Sequence, residues 1–165
     1  MTATTRPTEP LRAEHRDLLP TLEAFDTTAA DLDGWSAAEA EHHLGEIVSF
    51  LRDHLIPHAR AEEAVLYPAV EQAMGAPDAT ATMRADHTEI VARIDRLGET
   101  TAGVAQRWPD AGLALDLSRQ LIGLAAILLL HFHKEEEVLL PVLDRRLSPE
   151  EAENLFSRMG AVAHP

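Results

Sequence analysis

Apolar residues recur along this chain at the three- and four-residue spacing of a buried helix face, and no stretch keeps the strict alternation of a strand. Leu11, Leu18, Leu19, Leu22 and Phe25 share one face of a first predicted helix, about Glu9 to Leu32. Pro20 lies inside it and is expected to kink it or end it early, because proline has no N–H for the helical ladder. Asp33-Gly34-Trp35 interrupts the pattern. Ser36 with Glu39 is a capping-box start for a second helix, about Ala37 to Met74, with expected kinks at Pro57 and Pro68. Gly75-Ala76-Pro77-Asp78 is a turn. A third helix follows from about Ala79 to Arg107, and a fourth from about Leu113 to Leu147. Ser148-Pro149-Glu150-Glu151 opens a short fifth helix ending at Gly160. Four long helices with short links predict an all-α fold, an antiparallel up-down-up-down four-helix bundle over 9–147. A disordered N-terminal tail at 1–8 is expected before it, and a short C-terminal helix and tail at 148–165 after it.

The pattern also repeats itself. Leu11-Arg12-Ala13-Glu14-His15 resembles Met83-Arg84-Ala85-Asp86-His87, 72 residues later. The segment from His58 to Pro68 resembles that from His131 to Pro141, and six of the eleven positions are identical. The first helix therefore mirrors the third and the second mirrors the fourth, so the bundle has an expected pseudo-twofold axis.

Composition narrows the function. At 165 residues the chain suits one domain. Asp and Glu number 28 against 14 Lys and Arg, a net charge of −14. Such a surface repels nucleic acid and anionic lipid, so neither is an expected partner. The absence of Cys removes disulfides, thiolate zinc sites, iron–sulfur clusters and thiol catalysis. The longest apolar run, Leu121 to Leu130, is about half of what spans a bilayer. Met1 to Pro10 has no apolar core of a secretion signal, and a cytoplasmic location is expected. Nine His remain unexplained, and the metal ligands available are His, Asp and Glu.

His15 and His87 each lie on an apolar stripe at mirrored positions. His58 with Glu62, and His131 with Glu135, are i, i+4 pairs that place two carboxylates on inward faces. Buried carboxylates facing each other are costly, and the single Lys, Lys134, is off this face. Metal cations resolve the conflict, each carboxylate bridging two ions and each ion taking two imidazoles. The ligand set reads His15, His58, Glu62, His87, His131 and Glu135, and the absence of thiolate favours iron or manganese over structural zinc. His54, one turn before His58, is a candidate fifth ligand or supporting donor. Tyr67 is read as packing, or as a neighbour of the site. Trp35 and Trp108 are read as caps on the bundle ends, with His42, His43, His133 and His164 outside the site.

An isolated His, then His-x-x-x-Glu-Glu before Leu-Tyr-Pro, a second isolated His, then His-x-x-x-Glu-Glu before Leu-Leu-Pro, resembles the hemerythrin-like HHE cation-binding domain family. The resemblance covers about Leu11 to Leu147. It implies a non-haem di-iron centre, two Fe ions bridged by two carboxylates and an oxo or hydroxo group, with the six residues above on the ligand positions. It also implies O2, NO or peroxide as small ligands, in oxygen carriage, sensing, iron response, peroxide decomposition or oxidation of a small organic substrate. Two departures stand out. Oxygen-carrying hemerythrins have a further His where this chain has Val91, and their fourth-helix carboxylate would fall on Glu136. The internal repeat favours Glu135. The expected roles are then a binder or sensor of small oxidants, or a di-iron oxidase or peroxide-decomposing enzyme, with iron buffering and a metal-free helical adaptor as further readings. The pattern leaves the substrate, the redox partner and the oligomeric state open.

Overall fold

Caps, glycines and prolines set where each helix begins, ends or loosens. In the computed structural model, which describes residues 6–164, helix α1 spans Glu9–Asp31 and a single 3-10 turn follows at Leu32–Gly34. Pro20 does not end α1 early, the outcome expected if it did not kink the helix. Pro20 is on the exposed side of α1, where the carbonyl it leaves unpaired can turn to water. Ser36 and Glu39 form the expected capping box, and α2 then runs continuously over 37–74. Gly75 ends it in the left-handed conformation, at φ +66°. Helix α3 is Ala81–Thr101, shorter than expected because Gly103 takes φ +67° before a single further turn at Val104–Arg107. Helix α4 spans Ala111–Asp144. Helix α5, Pro149–Ala163, starts at a Ser148–Glu151 capping box and continues past Gly160. No strand occurs among the described residues. Of the tail expected at 1–8, residues 1–5 lie outside the described residues. Thr8 is fully buried, and its N–H and hydroxyl both donate to Asp144 Oδ1, at 3.0 and 2.8 Å.

The expected kinks in α2 take the form of π turns, at Leu51–Leu55 and Glu62–Leu66, and α4 has a third at Glu135–Leu139. In each case the second residue after the turn is proline: Pro57, Pro68 and Pro141. A proline ring displaces the carbonyl four residues back and offers no N–H. The N–H groups of Ile56, Tyr67 and Leu140 accordingly reach back five residues, to Leu51, Glu62 and Glu135. The Glu63 and Glu136 carbonyls then have no helical donor. Arg84 Nη1 donates to the first and Arg12 Nη2 to the second, each at 3.2 Å, and these Arg residues are repeat partners. The symmetry extends to the bundle end, where Thr8 and Arg12 donate to Asp144 as Thr80 and Arg84 donate to Glu71.

The helices form a bundle in which α4 packs against α1 and α3, α2 against α3, and α5 across the middle of α2. Two apolar clusters fill it. One includes Leu22, Phe25, Leu55, Ile90, Ile94 and Leu128; the other includes Leu11, Leu66, Val70, Met83, Leu139 and Leu143, closed by Leu155 and Met159 of α5. On every long helix a histidine lies between a residue of one cluster and a residue of the other, so a polar layer divides the core. By length and composition α4 holds an 18-residue stretch apolar enough to cross a membrane, longer than its ten-residue run suggests. Its inward residues Leu121, Leu124, Ala125 and Leu128 are core here. At one bundle end Trp108 Nε1 donates to the Trp35 carbonyl at 2.8 Å, as a cap would.

Candidate metal centre

His15, His58, Glu62, His87, His131 and Glu135 are all buried in the layer between the two clusters. Each carboxylate turns one oxygen toward each histidine pair. Glu62 Oε1 is 2.9 Å from His58 Nε2 and 3.8 Å from His15 Nε2, while its Oε2 is 3.2 Å from His87 Nε2. Glu135 Oε2 is 3.4 Å from His15 Nε2, and its Oε1 is 3.6 Å from His131 Nε2. Two donor groups result, one of His15, His58, Glu62 and Glu135, the other of Glu62, His87 and His131, each with donor atoms within 4.8 Å of one another.

Behind the imidazoles stands a second set of acids. Glu14 Oε1 is 2.9 Å from His58 Nδ1, and Asp86 Oδ2 is 3.2 Å from His131 Nδ1. Glu63 Oε1 is 3.0 Å from His87 Nδ1, and Glu136 Oε1 is 3.2 Å from His15 Nδ1. These pairs obey the sequence repeat. A carboxylate only accepts, so Nδ1 carries the imidazole proton and Nε2 presents a lone pair to the centre. Asp86 is held in turn by Lys134, and Glu136 by Arg12 Nη1 at 3.8 Å. Glu14 and Glu63 reach solvent.

The centre is thus lined with acceptors that lack donors. His15 Nε2, His58 Nε2, both Glu62 oxygens and Glu135 Oε2 are buried without a hydrogen-bond partner, the short His58–Glu62 approach being out of line for one. His87 Nε2 and His131 Nε2, two lone pairs, face each other at 2.9 Å. Such atoms cost free energy in an apolar core unless a cation lies among them. Without metal, protons take that place. Burial, then the Glu62 charge, raises Glu135 well above the carboxylate range. Burial opposes the charged forms of His58 and Glu62. The carboxylates at Glu62 and Glu14 nevertheless raise His58 well above the usual imidazole value, and His58 in turn lowers Glu62. Burial pushes His131 down to about 4, leaving it neutral and ready to donate.

The two halves differ in what borders them. Tyr67 is fully buried, and its hydroxyl donates to Glu135 Oε1 at 2.9 Å while lying 3.1 Å from His87 Nε2. Its repeat partner is Leu140. Phe132 stacks on His15, with ring centres 4.2 Å apart and planes 7° from parallel, and its partner is Ala59. Val91 lines a cleft of about 420 Å³ between α2 and α3 that reaches Glu63 and His87 from outside.

Of the less specific sequence candidates, neither joins the central atoms. His54 is exposed beside Phe50, because Leu51 and Leu55 take the inward positions of that turn. Glu136 faces Nδ1 of His15, behind the ring. His133 and His164 are exposed. Glu14, Glu63 and Asp86 are supporting groups that the sequence reading above does not include, although an acid precedes both isolated His residues and follows both motif Glu residues.

No curated protein and no solved structure matches the chain. The family model described as the hemerythrin HHE cation binding domain matches residues 6–143, a span that takes in the whole buried His and Glu cluster. With the helical bundle and a donor-lined core that fits a cation, that match makes the chain a metal-binding member of the hemerythrin HHE cation-binding domain family.

Proposed function

We propose that the protein holds two iron ions and binds a small oxidant, O2, NO or peroxide, for sensing or redox purposes. The observation that carries this reading is the two-sided placement of Glu62 and Glu135, each with one oxygen toward each histidine pair. His15 and His58 would hold one ion and His87 and His131 the other, the two carboxylates spanning both. Four imidazoles and two carboxylates suit iron or manganese, and nothing in the set selects zinc. When bound, the irons would supply the one-electron chemistry by which such oxidants are taken up.

The chain's own residues do the rest. Glu14, Asp86, Glu63 and Glu136 hold the four rings with Nε2 inward. Tyr67 fixes Glu135 through its hydroxyl, which burial and the facing carboxylates keep protonated. The apolar clusters on both sides keep bulk water from the layer. The cleft at Val91 gives a small molecule a route toward His87 that a second histidine there would narrow. That cleft also favours a second reading, a di-iron oxidase or peroxide-decomposing enzyme. Titrating the reduced, iron-loaded protein with O2 or NO should give a saturable, reversible spectral change. Many turnovers of peroxide per chain, lost in Glu62→Ala, would replace the binding reading with the enzymatic one.

A further inference from the structure

A second group of metal-ligating side chains lies on the surface of α2, about 20 Å along the helix from His58. Glu46 follows His42 by four residues and His43 by three, so at 3.6 residues per turn it rises between the two imidazoles. His42 Nε2 is 3.5 Å and His43 Nδ1 3.7 Å from the same oxygen, Glu46 Oε2, and all three donors lie within 4.8 Å of one another. Donors bound about 2.0–2.1 Å from one ion in a tetrahedron stand roughly 3.4 Å apart, so only small movements are needed.

The surroundings favour an ion there. The Trp35 ring lies against His43, with centres 4.9 Å apart, and Trp35 is anchored through its carbonyl by Trp108. The neighbouring acid Glu39 is committed to Ser36 in the capping box. The donors are exposed on a chain of net charge −14, which concentrates cations at its surface. His43 and Glu46 also border a groove of about 400 Å³ whose other walls include Thr21, Thr28 and Phe50.

We propose that His42, His43 and Glu46 form a second, independent site for a borderline divalent cation of the zinc or copper(II) class, with its remaining coordination positions open to the groove. Two imidazoles and one carboxylate are the donor set such ions take, and a three-ligand site leaves room for water or a ligand.

The test is a zinc titration of the iron-loaded protein against a competing chelator, in the parent and in His42→Ala, His43→Ala and Glu46→Gln. These side chains are solvent-exposed and belong to neither apolar cluster, so the variants should fold and keep their iron and thermal midpoint. The expected result is a zinc site in the parent that weakens about tenfold or more in each histidine variant, because one of three donors is gone. Zinc binding that is the same in parent and variants, whatever its strength, would overturn the proposal.

Discussion

At the scale of single residues, every imidazole in the buried layer is gripped from behind by an acid on another helix, and that grip sets which nitrogen faces inward. Asp86→Asn would weaken it for His131, and Glu63→Gln for His87. Each is expected to lower iron affinity about 10- to 100-fold in a chelator competition, with the helical circular dichroism unchanged. Glu135→Gln separates function from folding. It should lower the iron retained per chain, yet leave the metal-free protein at least as heat-stable, since it removes a buried carboxylate that only protonation makes tolerable. A thermal melt of the metal-free variant checks this. The six inward residues were legible in the sequence because buried polar groups stand out against an apolar stripe. Glu14, Asp86 and Glu63 were not, and Glu136 stood out only as a candidate ligand, because acids at the edge of a helix face look like any solvated charge until the partner helix is placed.

At the scale of elements, the π turns decide where the motif carboxylates point. Glu62 and Glu135 each open one, and each turn exists because a proline stands just beyond it. The carbonyls so released are taken by Arg12 and Arg84. Arg12→Ala should cost about 1–3 kcal/mol in a urea unfolding experiment, the usual loss when a buried polar group is left unpaired. Arg84→Ala should cost less, because its side chain is 37% exposed against 8% for Arg12 and water can replace it. Helix order, the Ser36 cap and the Gly75 stop follow directly from periodicity and capping chemistry. The π turns did not, since a proline within a helical pattern signals disruption without saying which form it takes. Pro20 makes the same point: it stands inside α1, and the helix continues past it without a π turn.

At the scale of the whole molecule, metal and protons compete for one layer of the core. In the metal-free protein His58 and Glu135 both titrate above their unfolded values of about 6.5 and 4.3. Stability from groups raised in this way is fully present below the unfolded value and is lost as pH rises through the folded one. Above neutral pH, where Glu62 and His131 no longer titrate, the metal-free melting temperature should therefore fall with rising pH. Metal binding displaces those protons, so the gain in melting temperature on iron loading should widen over the same range. A gain that shrinks as pH rises would contradict this. The internal repeat made the pseudo-twofold arrangement readable in advance. What breaks it was less readable: Tyr67 against Leu140, Phe132 against Ala59, and α5 laid over the middle of α2. These depend on which face each half presents, a property of packing and not of either segment. The most direct test of the central claim is the iron content per chain of protein purified aerobically, read with its near-ultraviolet and visible spectrum. About two irons per chain and strong ligand-to-metal absorption are expected, with metal retention lost in Glu62→Ala. A chain that retains no metal after anaerobic iron loading, and melts at the same temperature with and without it, would contradict a di-iron centre in this layer.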